Sequence, residues 1–141
     1  MKNFILVIGT LIAVSANADQ NQPLLQKRTF PGFLPAAYAT SSSCAVYNDR
    51  VEITKSAGSL KITTSNKIEA IAGGIRAQIE AAAKGSISMQ DSLPDAGLKT
   101  YTAFNADGTE VKLRTNGSRT ERNDSTEAAT LSNLLDVVCG D

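Results

Sequence analysis

Cys44 and Cys139 are the only cysteines in a chain of 141 residues, and their positions limit the possible folds more than any other feature. They lack the close Cys-x-x-Cys spacing of a redox pair, and with no histidine anywhere in the chain a zinc site is improbable. In an oxidising compartment an even count of this kind reads as a structural disulfide. Such a bond would tie the start of the ordered region to its last turn. Closing so long a loop is worth up to about 4 to 5 kcal/mol in the chain-entropy model.

The oxidising compartment is read from the first eighteen residues. Lys2, an apolar run from Phe4 to Val14 and then Ala16-Asn17-Ala18 follow the order of an export signal, with cleavage expected between Ala18 and Asp19. The run falls well short of the ~20 residues that cross a bilayer as a helix. Asp19 also stands where a lipoprotein would carry a cysteine. The expectation is a secreted or periplasmic protein with no membrane span. Fourteen basic and fourteen acidic side chains cancel, so no bulk charge draws the chain to nucleic acid.

Residues 19–43 hold Pro23, Pro31, Pro35 and the run Thr40-Ser41-Ser42-Ser43, with no sustained period. They read as a disordered or loosely docked leader. Lys27-Arg28 within it has the form of a processing site, although an accidental dibasic pair is the better account. Phe30, Phe33, Leu34 and Tyr38 are too apolar for a plain linker, so this segment is expected to dock on the domain or on a partner.

A single α+β domain is expected over 44–141. Alternation in 51–55 and 60–64 around Gly58 marks a hairpin. Asn66 with Glu69 then caps an amphipathic helix carrying Ile68, Ile71, Ala72, Ile75, Ile79 and Ala82, which contains Gly73-Gly74 and ends near Gly85. Asp107-Gly108 and Asn116-Gly117 mark two tight turns of a three-stranded meander over 101–122. Asp124 or Ser125 caps a last helix with Leu131, Leu134, Leu135 and Val138 on one face. The result is a two-layer sandwich in which an antiparallel sheet of about five strands carries two helices on one face, in the order ββαβββα.

Catalytic motifs are missing from the sequence. Without histidine, Ser-His-Asp and Cys-His mechanisms are excluded, and no serine stands three residues before a lysine in residues 19–141. Asn105, Asp107, Gly108 and Glu110 superficially resemble a calcium loop. In that register, however, Ala103 and Arg114 occupy the first and twelfth ligand positions, so no metal is expected. No cofactor motif is present. Asp91, Asp95, Glu110 and Glu121 are the candidates for a carboxylate-only hydrolase. Asn116-Gly117-Ser118 and Asn123-Asp124-Ser125 match the N-glycosylation pattern and read as surface markers.

What remains is a charged meander face. Two-residue turns would set Arg114 opposite both Tyr101 and Arg119, and Lys112 between Ala103 and Glu121, with Phe104, Val111 and Leu113 turned to the core. Tyr101, Lys112, Arg114 and Arg119 would then share an exposed surface. Opposed arginines would suit a bound anion or an acidic partner, although a solvated, solubilising face of mixed charge is the better account. The leading expectation is a small exported binding or accessory module acting on a protein partner. The alternatives are the carboxylate hydrolase and a self-assembling envelope component.

Overall fold

The computed structural model describes residues 21–35, 37–69, 74–91 and 97–140. Its strands are β1 (Leu25–Phe30), β2 (Thr40–Val46), β3 (Arg50–Ala57), β4 (Leu60–Lys67), β5 (Ile87–Asp91), β6 (Leu98–Phe104), β7 (Glu110–Asn116) and β8 (Arg119–Asn123). Helix α1 (Gly74–Ala82) follows β4, and α2 (Thr126–Cys139) follows β8. All eight strands form one antiparallel sheet in the order β4-β3-β2-β1-β6-β7-β8-β5. Residues 1–20, including the expected export signal and its cleavage point, lie outside the described residues, as do Gly73, Pro94 and Asp95.

The sheet therefore has eight strands where about five were expected, in chain order ββββαββββα. Two of the additional strands come from the supposed leader. β1 pairs with β2 on one side and β6 on the other, so it is a central strand. Its sequence conceals this because the inward residues are Leu25 and Lys27, both buried, and a buried lysine breaks the apolar alternation that marks a strand. Lys27-Arg28 accordingly lies inside a strand paired on both edges. β2 conceals itself in a serine run whose only buried residues are Cys44, Ala45 and Val46. The third addition, β5, is a short edge strand exposed at every position.

The helices share one face, and the two-layer α+β arrangement survives the correction. α2 packs on α1 and on β1, β6 and β7. Leu25, Val46, Tyr101, Leu113, Ile79, Leu131 and Leu135 are the largest fully buried side chains, and burial of each such leucine or isoleucine is worth roughly 1.5 to 3 kcal/mol. Phe104, expected in the core, is only half-buried.

Local chemistry sets the helix limits. Ser125 is the N-cap of α2, its hydroxyl accepting from the Ala128 amide at 3.2 Å, and Glu127 lies in the first turn, where the helix dipole favours an acid. Gly140 closes the far end with φ 69°. β4 runs on to Lys67, through the position expected to cap α1, while Ile71 and Ala72 of the expected helix lie outside the described residues. Asn66 therefore pairs with Val51 in the sheet and caps no helix. Asn123 joins the two layers: its side-chain amide donates to the Ala82 carbonyl at 2.8 Å and the Lys112 carbonyl at 3.2 Å. It is buried, so this sequon is no surface marker. A Cβ at Gly85 would meet Asn123 Oδ1 at 2.1 Å, which explains the glycine.

Candidate functional site

Register alone assembles a row of side chains across the helix-covered face. Arg122, Arg114, Tyr101, Lys27, Cys44, Ile53 and Thr64 are successive cross-strand neighbours from β8 to β4. The last turn of α2 crosses this row. Cys139 bonds Cys44 with 5.9 Å between the Cα atoms, and Asp136, three residues earlier on the same helix face, meets the charges.

Asp136 is the hub of that cluster. Its Oδ1 accepts from Lys27 Nζ at 2.8 Å and from the Tyr101 hydroxyl at 2.8 Å, and its Oδ2 accepts from Arg114 at 2.9 Å. Lys27, only 4% exposed, also donates to the Gly140 carbonyl at 2.8 Å, where a cation complements the negative end of the helix. The Arg114 guanidinium stacks on the Tyr101 ring with 4.1 Å to the centroid. Arg114 Nε is buried without a hydrogen-bond partner among the described residues.

Electrostatics follow from this geometry. Partial burial pushes the Asp136 pKa up, but the hydrogen bonds from Lys27, Tyr101 and Arg114 outweigh it, and the carboxyl sits below its usual range. Burial, reinforced by the bond to Asp136, holds the Tyr101 phenol above its ordinary value. Burial opposes the Arg114 charge, yet its contacts with Tyr101 and Asp136 raise its pKa on balance. With the carboxylate engaged by three donors, the cluster is suited to locking α2 onto the sheet.

The four expected binding residues are thus divided between two faces. Tyr101 is buried and Arg114 lies beneath α2, whereas Lys112 and Arg119 are exposed. The β6–β7 connection is not a two-residue turn: Gly108 has φ 87° and no other described residue outside glycine has positive φ. A bulge after Tyr101 sets Lys112 opposite Thr102. Arg114 does pair with Tyr101, but its β8 neighbour is Arg122 rather than Arg119. Lys112 reaches Glu121, and Arg119 approaches Asp91 at 3.9 Å. The Arg114–Arg119 juxtaposition is absent. For the hydrolase candidates, Asp91 and Glu121 each face a cation, Glu110 begins β7, and Asp95 is outside the described residues.

The opposite face of the sheet carries no helix among the described residues. Its central row reads Met89, Glu121, Thr115, Thr100, Arg28, Ser43, Thr54 and Thr63, one residue from each strand. At one end of the sheet the β1–β2 connection presents Phe33, 91% exposed, with Leu34 and Tyr38 also exposed beside Phe30 and Leu98. Lys27, Arg28 and Asp136 were absent from the sequence-based site. One signal was available: a helix whose Cys139 reaches the sheet must aim Asp136 at the same surface.

Comparison with protein-family models, with characterised proteins and with solved structures finds no match. No group of three or more potential metal-ligating side chains occurs among the described residues, and no described helix is long and apolar enough to cross a membrane.

Proposed function

We propose that this chain is a small exported binding or accessory module that engages a protein partner through its β1–β2 connection. One observation carries the reading: Phe33 and Tyr38 are 91% and 74% exposed on a connection between two central strands. Large apolar side chains held in water on a rigid support are characteristic of an interaction site, and aromatic anchors dominate the energy of protein interfaces. Export rests on the order of features in the first eighteen residues and agrees with the disulfide.

A photo-reactive phenylalanine analogue at position 33, introduced in the producing cell, tests the reading. A discrete protein adduct at position 33, absent when the probe stands at Lys84, is the expected result. Equal labelling from both positions, or none from position 33, would reject the connection as the contact. Sequencing the N-terminus of the exported protein checks cleavage before Asp19.

Self-assembly has weaker support. β4 is an edge strand exposed at all eight positions, but Lys61 and Lys67 on it are the kind of guard that discourages edge-to-edge pairing. A monomer in sedimentation at micromolar concentration is expected, and an oligomer would revive this reading.

A further inference from the structure

We propose that the uncovered face of the sheet binds an extended anionic polysaccharide, with Arg28 as its central contact. This surface adjoins the β1–β2 connection at Phe30, and either assignment can stand without the other.

Arg28 lies at the middle of the sheet, flanked by Thr100 on β6 and Ser43 on β2. Its side chain forms no ion pair or hydrogen bond among the described residues, whereas Lys112 and Arg50 on this face are engaged, the first by Glu121 and the second by Glu52 and Asp49. Lys61 on β4 is likewise without an ion pair, and it shares with Arg28 a shallow cavity of about 360 Å³. Ser41, Ser43, Thr54 and Ser56 lie between them, and no carboxylate lines that cavity. Arg28 also lines the adjoining cavity on its β6 side, where Glu110 is accompanied by Lys112.

The ligand class follows from the donor set. Serine and threonine hydroxyls both donate and accept, so they match the hydroxyls of a sugar chain without imposing charge. A guanidinium adds a fork for a carboxylate or sulfate group. At a strand spacing of ~4.8 Å, the row from Thr115 to Thr63 runs about 24 Å, a track suited to an extended chain. Phe30 borders the cavity and offers a flat ring to the apolar face of a sugar. The serines and the lysine of this cavity are residue types depleted in protein interfaces. Because the chain has a formal net charge of zero, bulk attraction does not supply affinity for a polyanion.

The test uses the purified, disulfide-intact protein against dextran sulfate, polygalacturonate, unmodified dextran and poly-glutamate. Retention by one or both charged polysaccharides and not by dextran is expected, and the pair separates sulfate from uronate recognition. Arg28→Glu and Lys61→Glu should each weaken that binding about tenfold or more, the scale of one charge-assisted contact. Lys84→Glu and Phe33→Ser should leave it unchanged. Near-ultraviolet circular dichroism confirms that each variant is folded. The proposal is overturned by equal binding of dextran, by poly-glutamate binding as tightly as either polysaccharide, by Lys84→Glu weakening binding as much as Arg28→Glu, or by no retention on either polyanion at low salt.

Discussion

β1 and β4 belong to one hydrogen-bonded sheet and differ sharply in what their side chains meet. β1 reads Leu-Gln-Lys-Arg-Thr-Phe, with a dibasic pair, yet Leu25 is fully buried and Lys27 is 4% exposed. β4 reads Leu-Lys-Ile-Thr-Thr-Ser-Asn-Lys, beginning with clean alternation, yet all eight of its residues are exposed and Ile62 remains 58% accessible. Alternation reports that a segment is extended, whereas burial depends on where the helices lie. α2 covers β1, β6 and β7 and leaves β4 uncovered, so a basic strand becomes core and an apolar-looking one does not.

Removing the disulfide should most strongly disturb what holds α2 over β1. Cys44→Ala with Cys139→Ala frees a connection spanning 95 residues, and a loss of about 4 kcal/mol in urea unfolding is expected. A loss below ~1 kcal/mol would mean that the charge cluster and core hold α2 without the bond.

Asp136→Asn comes next. It removes the 2.8 Å ion pair between Asp136 and the buried Lys27, and a loss of about 2 to 3 kcal/mol at neutral pH is expected after allowing for the partial exposure of Asp136. The direction with pH is fixed. A carboxyl whose folded pKa lies below its unfolded value of ~3.9 contributes fully above that value, and the contribution is lost as pH falls through the folded pKa. The variant should therefore show a shallower acid limb in its stability profile than the parent. Parallel acid limbs would remove Asp136 as the hub.

Tyr101→Phe deletes one hydroxyl donor to the same carboxylate and should cost about 1 kcal/mol. Because the folded phenol is held above its ordinary value, Tyr101 favours folding below pH ~10, and that contribution fades as pH rises through the folded pKa. The variant should have a flatter alkaline limb. Ile62→Thr on β4 is the smallest change, expected within ~0.5 kcal/mol because little burial is lost. In hydrogen exchange, β1 amides should be among the slowest and β4 amides among the fastest in the sheet. Comparable protection in both strands would erase the contrast.

Much of the outer hairpin, the β6–β7–β8 meander and α2 was legible because turn glycines and capping residues act over a few positions. Gly58, Gly108 and Ser125 each perform the local role that their chemistry suggests. The disulfide was legible from cysteine count and the expected compartment. β1 and β2 were not, because Lys27 and the run Ser41-Ser42-Ser43 carry no apolar period. The candidate site was misplaced for a narrower reason. A bulge after Tyr101 and a different β7–β8 register changed the neighbours of Lys112 and Arg114, and a one-residue slip exchanges the faces of a strand.

Short-range chemistry in the sequence by itself determined the Gly58 turn, the cap and apolar face of α2, and the two cysteines available to bond. Only the tertiary structure decided that Lys27 would be buried, that Arg28 beside it would face the open side, and that Asp136 would join Lys27, Tyr101 and Arg114. The physical reason is separation along the chain. Lys27 and Asp136 lie 109 residues apart, and their meeting depends on strand order, register and the placement of one helix, none of which a local pattern encodes.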